Sequence, residues 1–160
     1  MNSSFLPEIR IRAATNKDTE RIKALVFGVL AEYGWKPGQR STDSDLDDIE
    51  GNYLRPGGLF ELIEDKEGKL LGTVGLYPLD RDVCELRKMY FIPEIRNKGL
   101  GKRILERMIE SARRRGFKRI ELETASVLEA AAHLYTSYGF KPMERDGLAP
   151  RCDKAFYLDL

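Results

Sequence analysis

The chain has 160 residues, with 27 Lys or Arg against 26 Asp or Glu, one His and two Cys. That is long enough for one domain with a substantial core, and too poor in His and Cys for a His-based zinc site or a disulfide framework. Met1 to Arg12 contains no apolar leader-like run, and nowhere do about 20 apolar residues follow one another, so the expectation is a soluble, cytoplasmic protein that does not enter a membrane.

Glu8 to Ala14 alternates charged and apolar side chains and predicts a first strand. A helix follows: Thr15 or Asn16 can cap it, Asp18 and Glu20 sit in its first turn, and Ile22, Leu25, Val26, Val29 and Leu30 form its apolar face as far as Gly34. Trp35 to Arg40 reads as a loop. Ser44 to Leu54 reads as a short second helix whose start is capped by an acidic cluster, Asp43, Asp45, Asp47 and Asp48. Past Pro56-Gly57-Gly58 come three strands with short turns between them, Leu59 to Glu64, Lys69 to Tyr77 and Val83 to Ile92, which makes them antiparallel neighbours. Lys102 to Arg115 is strongly helix-periodic, Arg119 to Glu123 is a strand, and Ser126 with Glu129 has capping-box spacing for the next helix. Phe140 to Met143 and Ala155 to Leu160 complete the strands. The pattern is a mixed α/β sheet with helices on its faces, a single domain over residues 8–160 with no internal repeat.

Charge is unevenly spread along this pattern. Arg96 to Arg119 holds ten Lys or Arg against two Glu, a net +8 that leaves about −7 for the rest of a chain whose total is +1. Such a patch suits an anion. No aromatic residues interleave it as nucleic-acid binding would favour, and Arg113, Arg114 and Arg115 complement the end of a helix before Gly116, so no nucleic-acid partner is expected.

The junction Arg96-Asn97-Lys98-Gly99-Leu100-Gly101 between strand and helix is built to hold phosphate, because glycines let backbone amides approach and the helix start adds its free N–H groups. A nucleotide P-loop would need Gly at position 96 and Ser or Thr at 103, where Arg stands at both. A dinucleotide fingerprint beginning at Gly99 would need Gly at Ile104. The surviving pattern, R-x-x-G-x-G, resembles the coenzyme A pyrophosphate loop of the GNAT acetyltransferase superfamily. About forty residues later Leu134-Tyr135-Thr136-Ser137-Tyr138-Gly139-Phe140 is similar to that superfamily's L-Y-x-x-x-G-F signature.

The resemblance implies a mostly antiparallel GNAT-like sheet with a V-shaped cofactor cleft, acetyl-CoA as cofactor and no metal. Met89, Tyr90, Phe91 and the stretch Arg96, Asn97, Lys98, Gly99, Leu100, Gly101 and Lys102 would bind the cofactor. Leu128 stands where such enzymes often carry an Asn contact, so that contact is missing. By the same resemblance Tyr135 protonates the departing thiolate, with Tyr138 as the fallback acid, and Glu85 is the general base. The residues themselves also allow Glu85 simply to pair with Arg87 on a solvated edge. Tyr33 and Trp35 would wall the acceptor site.

Leu86 and Met89 break strict period-two alternation, which either a β-bulge or an inward Tyr90 explains. A bulge would free backbone N–H groups near Met89 and Phe91 to polarise a carbonyl. Cys84 has no His to activate it, and His133 should face solvent. The reading is an N-acetyltransferase acting on a small-molecule primary amine by direct transfer in a ternary complex, with a homodimer compatible. A coenzyme A-binding sensor without catalysis and a protein amine acetyltransferase are the alternatives.

Overall fold

The computed structural model describes residues 6–35, 43–126, 128–149 and 151–160; most of the loop predicted over Trp35 to Arg40 lies outside them. Seven strands form one sheet: β1 (Ile9–Ala13), β2 (Leu59–Asp65), β3 (Leu70–Pro78), β4 (Val83–Phe91), β5 (Arg119–Thr124), β6 (Lys141–Met143) and β7 (Lys154–Asp159), in the spatial order β1-β2-β3-β4-β5-β7-β6. The short turns between β2, β3 and β4 give antiparallel pairs, whereas β4 and β5 are parallel because a helix joins them.

That helix, α2 (Leu100–Arg114), packs Ile104, Leu105, Met108 and Ala112 against one sheet face, where Tyr135 of α3 (Glu129–Ser137) also lies. Helix α1 (Thr19–Glu32) covers the other face with Ile22, Val26 and Leu30. Strand alternation serves both sides at once: Leu59 and Ile63 of β2 belong to the α2 side, Phe60 and Leu62 to the α1 side.

Three local readings need correction. The segment Ser44 to Leu54 is not an α-helix but a 3-10 turn (Ser44–Asp48) followed by a π-helical turn (Glu50–Leu54), closed by Arg55 N–H donating to the Glu50 carbonyl. This winding buries Leu46, Ile49 and Tyr53 together. Of the acidic cluster only Asp48 caps, accepting from the Gly51 N–H; Asp43, Asp45 and Asp47 are each drawn into an ion pair with Lys or Arg elsewhere in the fold, a stronger attraction than a helix end offers. Ser126 does not cap α3, because its N–H and hydroxyl both donate to the Asp153 carboxylate at 2.8 and 2.6 Å.

The capping expectation resolves to Thr15, but it caps the 3-10 turn Asn16–Asp18 that leads into α1 and not α1 itself: its hydroxyl accepts from the Lys17 N–H while Asp18 accepts from the Thr15 N–H. Asp18 and Glu64 are buried between Arg12 and Arg21. The hydrogen bond from Arg12 lowers the Asp18 pKa; at Glu64 burial pulls upward but Arg12 and Arg21 together outweigh it. Carboxyls held below their unfolded values stabilise the fold above about pH 4 and lose that contribution as pH falls through the folded values. Urea unfolding should therefore show wild-type stability falling in acid, while Asp18→Asn starts about 1–3 kcal/mol lower at neutral pH and declines less steeply.

Candidate active site

The site begins where β4 stops being a regular strand. Gly75 pairs with Arg87 and Thr73 with Tyr90, so Lys88 and Met89 together oppose Val74. This is the bulge foreseen between Leu86 and Met89, and Lys88 takes the left-handed backbone (φ 56°) that such a bulge uses. The buried Thr73 hydroxyl holds it by donating to the Lys88 carbonyl at 2.6 Å. Beside it, β4 and β5 pair only from Val83 to Glu85 against Arg119 to Glu121, and the strands then part. The opening between them is a cavity of about 890 Å³.

The phosphate-loop candidate forms one end of that cavity. Asn97 (φ 62°) and Gly99 (φ 84°) are left-handed, and α2 starts at Leu100, two residues before Lys102, with Gly99 as N-cap and no side chain capping it. Its first N–H groups are thus left for a ligand. Asn97, Gly99, Leu100, Gly101 and Lys102 line the cavity with Met89, Tyr90 and Phe91. Gly101 brings α2 close to α3, since a Cβ there would meet Leu134 at 3.5 Å.

Two loop residues differ from the expected role. Lys98 faces away, in a separate depression of about 340 Å³ with Leu6, Ile92 and Glu94, because the left-handed residues on either side of it turn the chain. Arg96 touches the cavity wall but is an anchor: it pairs with both Glu32 oxygens at 2.7 and 2.9 Å and donates twice to the Phe91 carbonyl.

The other end is ionic. Glu85 is buried, yet it is not on a solvated edge: Arg87 Nε meets one oxygen at 2.5 Å and Arg145 Nη1 the other at 2.7 Å. Arg145 also binds Glu121 at 2.5 Å and Glu123 at 2.7 Å, closing the fork between the parting strands. Lys88 lies between Asp43 and Asp45 at 2.9 and 3.4 Å, Arg151 grips Asp43, and the Tyr53 hydroxyl donates to Asp45. Gly75 makes room for this floor, since a Cβ there would stand 2.7 Å from the Tyr53 ring. Tyr33 and Trp35, their rings tilted with centroids 5.8 Å apart, also line the cavity, Tyr33 close to Arg96. Arg145 and Arg151 escaped sequence reading because 144–153 has no periodicity and no motif. Among the described residues no group of three His, Cys, Asp or Glu side chains is placed to hold a metal ion.

Tyr135 lines the cavity from α3, its ring against Phe140 and Phe156. Burial raises its pKa, so it is a protonated donor at neutral pH. Tyr138 instead gives its hydroxyl to Glu106 and does not line the cavity; burial and that bond push it up to about 12. Cys152 lines the cavity as a thiol raised to about 11 by burial, Cys84 is buried in the core, and His133 is exposed.

The frame, a seven-stranded sheet that forks beside a bulge and opens onto a helix N-terminus, is shared with known acetyltransferases. The model of the acetyltransferase (GNAT) family matches residues 28–140. The uncharacterized N-acetyltransferase YjgM of Escherichia coli is 39% identical over 139 residues, covering 84% of this chain and 83% of its own. A GNAT-family acetyltransferase structure from Staphylococcus aureus superposes with a TM-score of 0.86 at 25% identity, over 94% of this chain and 98% of that one. The structure of yncA from Salmonella typhimurium with its cofactor acetyl-CoA gives 0.73 at 22%, over 94% and 93%. The chain belongs to the GNAT family and is an acetyl-CoA-dependent acetyltransferase.

The bulge rests on one buried donor. Thr73→Val keeps the shape of the side chain but leaves the Lys88 carbonyl without that hydroxyl, and urea denaturation should register a loss of about 1–3 kcal/mol.

Proposed function

We propose that this protein acetylates the primary amine of a small molecule, by direct transfer in a ternary complex with acetyl-CoA. The observation that carries the reading is convergence: the bulged part of β4, the uncapped start of α2 and the Tyr135 side chain all border one cavity, with charged side chains at its far end.

The residues fit the donor. The backbone from Met89 to Phe91 would hold the pantetheine arm, and Asn97, Gly99, Leu100 and Gly101 with the start of α2 and Lys102 would hold the pyrophosphate. Bound there, acetyl-CoA supplies an activated acyl group and a thiolate that needs a proton. Tyr135 is the donor of that proton, being neutral and facing the cavity. Glu85 is the acceptor for the amine's proton: each of its oxygens is engaged by one guanidinium, and each keeps a second lone pair. Tyr33 and Trp35 add bulky aromatic side chains to the cavity lining, which favours a small molecule over a polypeptide. Two free cysteines suit a reducing compartment such as the cytoplasm.

Acetyl-CoA should raise the melting temperature, by the equivalent of about 2.7 kcal/mol at a hundredfold excess over its dissociation constant. A shift with ATP or NAD and none with acetyl-CoA would overturn the donor assignment. Tyr135→Phe should keep fold and acetyl-CoA affinity while turnover, followed by thiol release, drops about 10²- to 10⁴-fold. Turnover within a few-fold of wild type would instead make Tyr135 a packing residue.

A further inference from the structure

Which acceptor fits depends on which charges at the far end of the cavity still have bonds to offer. Three carboxylates line that end, and each is already held: Asp45 by Lys88 and the Tyr53 hydroxyl, Glu123 by Arg145 and the Ala149 N–H, Glu85 by Arg87 and Arg145. Among the cations, Lys88 is sandwiched by two aspartates and Arg151 is bidentate on Asp43.

Arg87 is different. It is the most open of these ionic side chains, 27% exposed where Lys88 is 4% and Glu85 9%. Only its Nε is spent on Glu85; the two Nη nitrogens carry four N–H donors, with the Tyr53 hydroxyl and the Asp45 carboxylate as their neighbours. The guanidinium carbon sits over the Tyr77 ring, 3.8 Å from its centroid, a cation–π contact that holds the group in place beside the cavity. Arg87 precedes the bulge and the phosphate loop follows it, which puts this group at the acceptor end rather than the coenzyme end.

We propose that Arg87 is a specificity residue that binds a carboxylate on the acceptor, and that the acceptor is an α-amino acid. This deepens the small-amine reading above and rests on it. A rigid guanidinium edge is the ordinary receptor for a carboxylate. Glu85, 2.5 Å from Arg87 Nε, is the partner for the ammonium. Only a molecule with its two charges equally close together satisfies both, and in an α-amino acid a single carbon separates them. A polyamine could offer an ammonium to Glu85 as well, but it leaves the Arg87 edge facing nothing.

The test is a set of matched pairs, each α-amino acid against its decarboxylated amine, scored by thiol release from acetyl-CoA. In wild type the better pairs should favour the amino acid by at least about tenfold in kcat/KM. Arg87→Gln also frees Glu85 from one guanidinium, so both members of a pair will change, but the amino-acid value should fall about 10- to 100-fold relative to that of the matching amine, mainly through KM. Arg87→Lys, which keeps charge but not the fork, should fall between. A structural role alone would lower both members of a pair together, and a retained thermal shift with acetyl-CoA verifies the fold. Amines accepted as well as or better than amino acids would overturn the carboxylate site and leave the small-amine reading intact. No turnover of either set would overturn both.

Discussion

The constraint on which the site depends is the single extra residue in β4. A regular strand would carry its pairing with β3 and β5 to the end and leave no room for a ligand. Placing Lys88 and Met89 opposite Val74 bends β4, and the parallel contact with β5 stops after three residues on each strand. Such a distortion is costly unless its polar groups are satisfied, and here they are: the Lys88 carbonyl takes the Thr73 hydroxyl, and the Lys88 ammonium takes Asp43 and Asp45. The bulge residue is therefore also an ion-pair anchor, tying the strand to the turn that follows α1.

From that bend the rest of the site acquires its geometry. The gap between β4 and β5 is closed at its base by Arg145, which holds one glutamate of β4 and two of β5. Arg96 sets the other end, pinning the chain beyond β4 to α1 through Glu32 while Gly99 turns it into α2. At this end the cavity is bordered by the uncapped N–H groups of a helix start, with Lys102 and Arg96 beside them.

Nearly all charged side chains in the acceptor end neutralise one another, so net charge says little about the ligand there. What matters is which donors remain after the internal pairs are made, and by that measure one guanidinium edge stands out. The hydroxyl of Tyr135, with its raised pKa, completes a cavity whose two ends differ in kind: backbone amides at one, side-chain ions at the other.

The sequence by itself determined the strands and the two long helices, because each has a local physical signature, period two or period 3.6; the broken alternation at Leu86 to Met89 left a β-bulge and an inward Tyr90 both open, and the pairing of β4 with β3 decided for the bulge. Only the tertiary structure decided where charges go. Asp43 and Asp45 looked like helix caps and Arg96 and Lys98 like phosphate ligands, while Arg145 and Arg151 carried no local signal. Their partners lie as far as 108 residues away in the chain, as Asp43 does from Arg151. An ion pair across that separation has no periodicity to betray it, since it is chosen by proximity in the folded chain and by the cost of burying a charge alone.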